Sequence, residues 1–350
     1  MSGCSFRLVT RWGLAVLAAV TMVLTSSTAY AQFERGQISG TLRDQSGAVL
    51  PGVTVTATNV QTNQQIVVVS DGTGFYTFPN LRPGRYNLSA ELQGFKRVVR
   101  ENIQLDAAGA ITIDFVLETG AITEQVTVVA EQPPLQTDVA IRKTVEAKDI
   151  EQLSFSGRNP IGVAALKPGV IGGSFNNYGF SSLSNGGFNI NGSRADENNI
   201  TVDGATAIRT RSSGAIIGVQ NVDAIQEVQV LTANYMPEFG RSSGGQIRFI
   251  TKSGTNRYSG SASFFFSDET LQANSWSRNR SSNPAENRGP APFDYKQYGY
   301  AFCGPVPGVI FRDKLFFFGA QEWVNFFQEQ TSVITVPTER MRRGDFSELL

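Results

Sequence analysis

The side chains best suited to acid–base chemistry in this sequence are a group of carboxylates and one arginine near the middle of the chain. They are Asp196, Glu197, Asp203, Glu238 and Arg241. A pair of carboxylates can act as general acid and general base, as in glycoside hydrolysis. The sequence gives no separation between these groups, and acidic residues next to glycine commonly shape turns instead. We favour a structural role and keep glycoside hydrolysis, through Asp196, Glu197 and Asp203, as a minor alternative.

Histidine is absent from all 350 residues. This excludes every mechanism that needs an imidazole base, and it excludes zinc sites with histidine ligands. The only thiols are Cys4 and Cys303, too few for a metal site built from cysteine alone. We therefore predict no catalytic group, no cofactor and no metal ion.

The charge balance is neutral, with Lys+Arg 30 and Asp+Glu 30. It offers no basic surface for nucleic acid, so we expect no nucleic-acid partner. Charged residues make up 17% of the chain, below the roughly 25% usual in soluble domains, while glycine numbers 35. This composition favours β structure that is rich in turns.

Residues 1–31 have the pattern of a secretory signal peptide. Two arginines precede an apolar run over residues 14–24, and Ala29-Tyr30-Ala31 supplies small residues for cleavage. The run is shorter than the ~18 residues of a transmembrane helix. Because Cys4 lies before the run, it is not placed as a lipid anchor, and cleavage would leave Cys303 without a disulfide partner.

Residues 32–118 contain short β-prone runs separated by Gly, Pro, Asn and Asp, which predicts a β-sandwich. Asp44 and Asp71 are expected to form Asx turns rather than a calcium site. Apolar residues alternate along three of the runs and should form the core: Val53, Val55 and Ala57; Tyr86, Leu88 and Ala90; Ile111, Ile113, Phe115 and Leu117.

The runs GQISGTLRD, LPGVTVTATN, SDGTGFYTF and LRPGRYNLSAELQGF resemble the carboxypeptidase regulatory-like family, whose fold is a transthyretin-like sandwich. The resemblance covers about the whole of residues 37–118. It implies no peptidase activity, because this segment supplies no zinc ligands.

Residues 119–143 read as a linker, because Pro133-Pro134 favours extended chain. The run EQVTVVA resembles the TonB box of TonB-dependent receptors, which pairs edge to edge with TonB, the energy-coupling protein. This candidate box consists of Glu124, Gln125, Val126, Thr127, Val128, Val129 and Ala130. Strand addition tolerates varied side chains. An inert linker and a last sandwich strand are therefore equally open alternatives.

Residues 144–256 predict a small mixed α/β unit. From Thr144 to Gly169 the sequence predicts helix, in the runs AKDIEQL and NPIGVAALKPG, and the Gly/Ser/Asn-rich residues 171–187 should form loops. The runs INGS, ITVDG and GRSSGGQIRFITKSGTN resemble the plug of TonB-dependent receptors. The residues of this plug motif are Asn191, Gly192, Asp203, Gly204, Glu238, Gly240, Arg241, Gly244 and Gly245.

Two features depart from the usual plug pattern. Asn191 stands where the family commonly places arginine, and the elbow at residues 235–240 replaces an Arg-Gly-Pro turn. Both resemble the Oar-like branch, which joins a regulatory-like sandwich to a plug. In place of a catalytic role, we expect Asp203 to fix the VDG turn, and Glu238 and Arg241 to bond the plug to the barrel wall.

Residues 257–350 contain strands rich in aromatic residues. Tyr258, Gly260, Ala262, Phe264 and Phe266 fall on one side of an extended strand, with mostly serine on the other. Two further runs follow, the second with Glu322 on an otherwise apolar face. The pattern suits a transmembrane barrel wall, with polar residues 268–296 as an external loop, although an ordinary antiparallel sheet has the same period of two.

Three strands cannot close a barrel, and each unpaired backbone group in hydrocarbon costs several kcal/mol. Plugged transporters use roughly 22 strands. We therefore expect the sequence to be a truncated receptor or a partial gene product.

The sequence as a whole predicts a mainly β protein with an N-terminal β-sandwich, a small mixed α/β plug domain and the first strands of an incomplete transmembrane β-barrel. The expected function is that of an Oar-like TonB-dependent receptor in a Gram-negative outer membrane, with sandwich and box on the periplasmic side. Its partners would be TonB, outer-membrane lipid and an unidentified extracellular ligand. The alternative is an adhesive cell-surface protein whose sandwich binds protein or glycan.

Overall fold

The computed structural model describes most of the chain after residue 34 as three successive units, which we call the sandwich, the central unit and the three-stranded sheet. The described residues are 35–120, 125–129, 135–136, 141–152, 158, 160–172, 188–209, 215–216, 221–235, 239–240, 242–274, 276–280, 289–308, 313–329 and 337–347. The predicted signal peptide lies outside these residues.

The sandwich consists of two sheets packed face to face. Its strands are β1 (Gly36–Asp44), β2 (Thr54–Asn59), β3 (Gln65–Val69), β4 (Phe75–Leu81), β5 (Gly84–Glu91), β6 (Arg97–Leu105), β7 (Ala110–Thr112), β8 (Phe115–Leu117), β9 (Gln125–Val129) and β10 (Leu135–Gln136). One sheet has the order β10-β7-β1-β4, with β8 also paired to β1, and the other has the order β3-β2-β5-β6-β9. Strands β9 and β10 come from the segment that the sequence suggested as a linker.

The alternating residues predicted for the sandwich core are buried, each with 6% or less of its surface exposed. The two predicted Asx turns are also present. Asp44 Oδ1 accepts hydrogen bonds from the Ser46 and Ala48 amides at 2.8 and 2.9 Å, and Asp71 Oδ1 accepts from the Thr73 amide at 2.8 Å. Each carboxylate is thus satisfied within its own turn.

The central unit is built on a mixed sheet with the order β11-β18-β19-β14-β15, in which β14 and β19 run parallel. Its elements are β11 (Ile141–Glu146), α1 (Ala147–Gln152), β12 (Val170–Gly172), β13 (Phe188–Ile190), β14 (Asn199–Val202), β15 (Ala205–Thr206), β16 (Ile208–Arg209), β17 (Ala215–Ile216), β18 (Ile225–Ala233) and β19 (Gln246–Thr251), with 3₁₀ turns at Pro160–Leu166, Ala195–Glu197 and Val222–Ala224. Ile161, Phe188, Val228 and Phe249 are among the residues of its separate apolar core.

Two local expectations differ from the structure of this unit. Thr144 to Glu146 continue strand β11, because they pair with β18, and the helix begins only at Ala147. The segment after Pro160 is a 3₁₀ helix rather than an α-helix. Pairing with a neighbouring strand outweighs local helix propensity at the first site.

The three-stranded sheet is antiparallel, with the order β20-β21-β22. Its elements are β20 (Ser259–Asp268), a 3₁₀ turn (Glu269–Leu271), α2 (Trp276–Arg280), β21 (Phe293–Pro305), β22 (Phe316–Gln328) and α3 (Glu339–Arg342). Strand β21 begins at Phe293, so the predicted loop is shorter by a few residues at its C-terminal end. Among the described residues, no helix has both the length and the apolar character needed to cross a bilayer.

Candidate functional site

Asp203 joins the ends of two parallel strands where the chain leaves the central unit. Its Oδ1 accepts a hydrogen bond from the Thr251 amide at 2.9 Å, and its Oδ2 accepts from the Thr251 hydroxyl at 2.7 Å. Asp203 and Gly204 have φ of 47° and 83°, in the left-handed region of backbone conformation. Aspartate tolerates this region better than most residues and glycine adopts it freely, which explains the Asp-Gly sequence at this turn. The carboxylate thus holds the start of the Lys252–Tyr258 connection to β20.

The other described residues of the plug motif converge at the opposite end of the same sheet. Asn191, with φ of 52°, donates from Nδ2 to the Thr232 carbonyl at 2.9 Å. A Cβ at Gly244 would collide with the Asn198 side chain, and one at Gly245 would lie 2.5 Å from Ile190 Cδ1. These close contacts favour glycine at both positions. Glu238 and Arg241 lie outside the described residues, so their predicted contact with the barrel wall stays a prediction.

An open cleft of about 510 Å³ lies at this end of the central unit. It is lined mainly by backbone and small polar groups from the turn after β13 and from the turn after β18, including Asn191, Ser193, Asn234 and Tyr235. Tyr235 donates its hydroxyl to the Gly244 carbonyl at 2.8 Å. No cluster of three or more metal-ligating side chains is found in the part of the chain that the structure describes.

The central unit is bonded to the three-stranded sheet through Arg158 and Asp223, two residues that the sequence interpretation missed. Arg158 Nη2 lies 3.1 Å from Asp223 Oδ1, and only 17% and 7% of the two side chains are exposed. The Ser263 hydroxyl of β20 donates to Asp223 Oδ2 at 3.0 Å. The Arg158 guanidinium also lies 4.4 Å from the centre of the Phe265 ring. This ion pair lies within the central unit, and its contacts with Ser263 and Phe265 of β20 cross the boundary between the two units.

Electrostatics favour the charged form of this pair. Burial by itself would raise the pKa of Asp223, but hydrogen bonds and charge from Arg158, with the Ser263 hydroxyl, hold that pKa below its ordinary value. Since the two residues are 65 positions apart in the sequence, no local spacing marks them as partners.

The register of the sheet places Glu322 on the face that carries Ser263. Ser263 pairs with Gly299, and Gly299 pairs with Glu322, so the three residues lie on one row across the strands. Glu322 is close enough to interact electrostatically with Arg158. Gln297, on the same face, is 1% exposed and accepts a hydrogen bond from the Tyr295 hydroxyl at 2.7 Å. The carboxylate of Glu322, which interrupts an apolar pattern in the sequence, thus lies on the face of the sheet that contacts the central unit.

The opposite face of the sheet is aromatic and exposed. Phe264 and Phe266 of β20 are 63% and 62% exposed, and Tyr300 and Trp323 of the next strands are 49% and 43% exposed. Tyr298 stacks on Trp323 with ring centres 5.5 Å apart. One face of the sheet therefore carries Ser263, Gln297 and Glu322 among buried aromatic and small side chains and contacts the central unit, while the other face exposes aromatic side chains among the described residues.

The sandwich contacts the central unit through a buried polar cluster. Glu227 Oε1 accepts hydrogen bonds from the Ala107 amide at 3.0 Å and from Gln229 Nε2 at 2.7 Å, and Gln229 Nε2 also reaches the Ala107 carbonyl at 2.9 Å. Arg248 donates to Gln229 Oε1 at 3.0 Å. Burial, reinforced by the nearby charge of Asp106, raises the pKa of Glu227 to about 7.

Within the candidate box, residues 125–129 form strand β9, which pairs in parallel with β6 of the sandwich. The register runs from Arg97 opposite Gln125 to Glu101 opposite Val129. Glu124 and Ala130 lie outside the described residues. The segment is thus extended and attached to the sandwich through its backbone.

Comparisons with known proteins cover both ends of the chain. Residues 37–118 match the family described as "Carboxypeptidase regulatory-like domain", and residues 250–350 match "Outer membrane beta barrel domain". Over 328 residues the chain is 31% identical to the TonB-dependent transporter Oar of Myxococcus xanthus, an alignment that covers 89% of this chain and 28% of the relative. The chain therefore spans little more than a quarter of that protein's length.

Two solved structures share limited similarity. The siderophore receptor PirA from Pseudomonas aeruginosa aligns with a TM-score of 0.35 at 16% identity, covering 53% of this chain and 28% of that chain. The siderophore receptor PirA from Acinetobacter baumannii aligns with a TM-score of 0.30 at 18% identity, covering 48% and 22%.

The matches confirm the predicted fold class, with a β-sandwich first and part of a barrel sheet last. The relative that aligns with 89% of the chain is a transporter, in agreement with the expectation of a protein that is not an enzyme.

Proposed function

We propose that this chain, a homologue of the TonB-dependent transporter Oar along 89% of its length, forms the coupling and closure part of an outer-membrane receptor. In this proposal, residues 1–31 direct export, residues 32–118 form a periplasmic sandwich and residues 119–143 carry the TonB box. Residues 144–256 plug a barrel, whose wall begins with residues 257–350. The receptor binds an extracellular ligand that remains to be identified.

The observation that carries the proposal is the two-faced three-stranded sheet. Ser263, Gln297 and Glu322 face the central unit, while Phe264, Tyr300 and Trp323 are exposed on the other side. A soluble sandwich would bury an apolar face and expose a polar one. Here hydrogen-bonding side chains lie on the face that contacts protein, and large aromatic side chains are exposed on the other face, which suits contact with lipid.

The central unit has the position that a plug needs. It follows the sandwich in the chain and leads through residues 252–258 into β20. Asp223, paired with Arg158, bonds it to Ser263 on one face of the sheet. We assign the plug motif to this function: Asp203 and Gly204 at the barrel end, and Asn191, Gly192, Gly244 and Gly245 at the opposite end, with Glu238, Gly240 and Arg241 in the connecting elbow.

Energy coupling would enter through residues 124–130. The segment is extended, and strand addition is the means by which a box binds its partner. We propose TonB as that partner because the relative that aligns with 89% of the chain is a TonB-dependent transporter.

Fractionation of cells that express the intact gene tests the proposed location. We expect the protein in the outer-membrane fraction, resistant to extraction by high salt and alkaline carbonate and released by detergent, because the aromatic face requires an apolar solvent. A protein recovered in the soluble periplasmic fraction without detergent would contradict the proposal. A periplasmic protein of similar size serves as the fractionation control.

A further inference from the structure

Strand β9 lies at the end of a sheet and has only one of its two edges paired within the described residues. The sheet order is β3-β2-β5-β6-β9, and the five residues of β9 pair in parallel with Arg97 to Glu101 of β6. The other edge of β9 has no neighbouring strand in the part of the chain that the structure describes.

Backbone geometry divides the hydrogen-bonding groups of β9 between its edges. Successive residues of a strand direct their N–H and C=O groups to opposite sides, so β6 engages only some of them. The remaining groups point to the open edge. Such an edge is a template for another strand.

The composition of β9 suits strand addition. Its sequence, QVTVV, contains four β-branched residues, which favour strand structure. Natural proteins block open edges with charged residues and proline, and QVTVV contains neither. The sandwich therefore orders an extended strand whose outer edge is paired with no strand of the described residues.

We propose that the sandwich presents the box as a preformed edge strand, and that a strand of TonB adds to the open edge of β9 while β9 remains paired with β6. Sandwich and partner would then share one continuous sheet. The inference rests on the proposed function, since it assumes that residues 124–130 are the box. It adds that the sandwich is part of the docking site, because a strand already ordered by β6 binds without the entropy cost of ordering a free segment.

The competing arrangement is release, in which β9 must leave β6 before TonB binds. The two arrangements differ in what happens to the β6–β9 pairing, so a reversible covalent bond between these strands distinguishes them. Glu101 and Val129 are register partners in the parallel pair. Paired Cα atoms in neighbouring strands lie about 5 Å apart, within the range that a disulfide can bridge.

The experiment uses the intact receptor in detergent, with Cys303→Ser as background and Glu101→Cys and Val129→Cys together as the lock. Binding of the purified C-terminal domain of TonB is measured for the oxidised protein, the reduced protein and the background variant. Binding by the reduced double variant shows that the two substitutions have not unfolded the receptor. Because the oxidised form differs from it only in the disulfide, any difference between the two forms reports on the lock.

We expect oxidised and reduced receptor to bind TonB within threefold of each other. Binding that falls tenfold or more on oxidation and returns on reduction would overturn the inference in favour of release, yet leave the proposed function intact. If none of the three forms binds TonB, the box assignment fails and the inference fails with it. Self-association of receptors through β9, in place of TonB binding, would also overturn both.

Hydrogen exchange of the receptor without the paired cysteines provides a second measurement. When TonB binds, we expect amides of β9 that were exposed at the open edge to gain protection, while amides of β6 keep theirs. A loss of protection in β6 on binding would contradict a shared sheet. The matched control is Val67→Pro in β3, the edge strand at the other end of the same sheet, which should leave TonB binding unchanged.

Discussion

At the scale of single residues, the attachment of the central unit to the sheet depends on a few buried polar groups. Arg158 contributes its charge, two hydrogen bonds to Asp223 and contact with the Phe265 ring. The Ser263 hydroxyl of the three-stranded sheet donates a hydrogen bond to Asp223. Removing one partner of such a pair leaves the other charge buried and unpaired, which costs far more than the net contribution of the intact pair.

We predict that Asp223→Asn lowers the free energy of unfolding by about 2–4 kcal/mol, since breaking a buried ion pair typically costs 3–5 kcal/mol and Arg158 keeps some solvent contact. Ser263→Ala, which removes only a hydroxyl, should cost about 1 kcal/mol. Thermal unfolding of the purified receptor measures both. Equal losses in the two variants would show that the ion pair is not what matters.

The pH dependence of this pair has a definite sign. The pKa of Asp223 is lowered in the folded protein, so its contribution is present above the ordinary carboxyl range and disappears as pH falls through the lowered value. The pair is therefore fully formed at neutral pH.

Glu227 has the opposite sign. Its pKa is raised from 4.5 to about 7 by burial, so the neutral acid is favoured in the folded protein. The associated stability is complete below pH 4.5 and is lost as pH rises through about 7, a difference on the order of 3 kcal/mol.

We predict that Glu227→Gln removes this pH dependence without breaking the contact between sandwich and central unit. The glutamine oxygen can still accept from the Ala107 amide, and it carries no charge to bury. Wild type and variant should be equally stable near pH 5, with the variant more stable near pH 8, as measured by denaturant unfolding at both values. A variant that is less stable at both would show that the carboxylate itself is required.

At the scale of elements, the strands with strict alternation could be predicted from the sequence. In the sandwich, Val53, Val55 and Ala57 are buried as expected, and in β20 the side chains at Phe264 and Phe266 face away from Ser263. Alternation along a strand assigns each side chain to one face of the sheet without knowledge of the neighbouring strands. These predictions therefore needed only residues that are close together in the chain.

The elements that escaped prediction are those determined by distant partners. The parallel pairing of β9 with β6, and the strand at Thr144 where a helix was expected, both depend on neighbours far away in sequence. The side of the sheet on which Glu322 lies became clear only from its row with Gly299 and Ser263. Of the predicted plug motif, the turn residues could be placed by glycine and asparagine signals, but the Arg158–Asp223 contact had no local signature.

At the scale of the whole molecule, the three units are joined in series by backbone and polar contacts. The sandwich touches the central unit at Glu227. It also touches the connection that leads to the three-stranded sheet, where the Gln61 carbonyl accepts from the Asn256 amide at 3.0 Å. A force applied at β9 would thus reach the central unit through the sandwich as well as through the chain that follows β9.

The central claim is that one face of the three-stranded sheet contacts lipid and the other contacts protein. It is tested most directly by fluorescent labelling of single cysteines in the intact receptor, in the Cys303→Ser background, reconstituted in vesicles with brominated lipid as quencher. Ser261, Ala262 and Phe264, each replaced by cysteine in turn, sample both faces of β20. We predict strong quenching for the labels at 262 and 264 and weak quenching at 261. Equal quenching at all three positions, or none at any, would contradict the account.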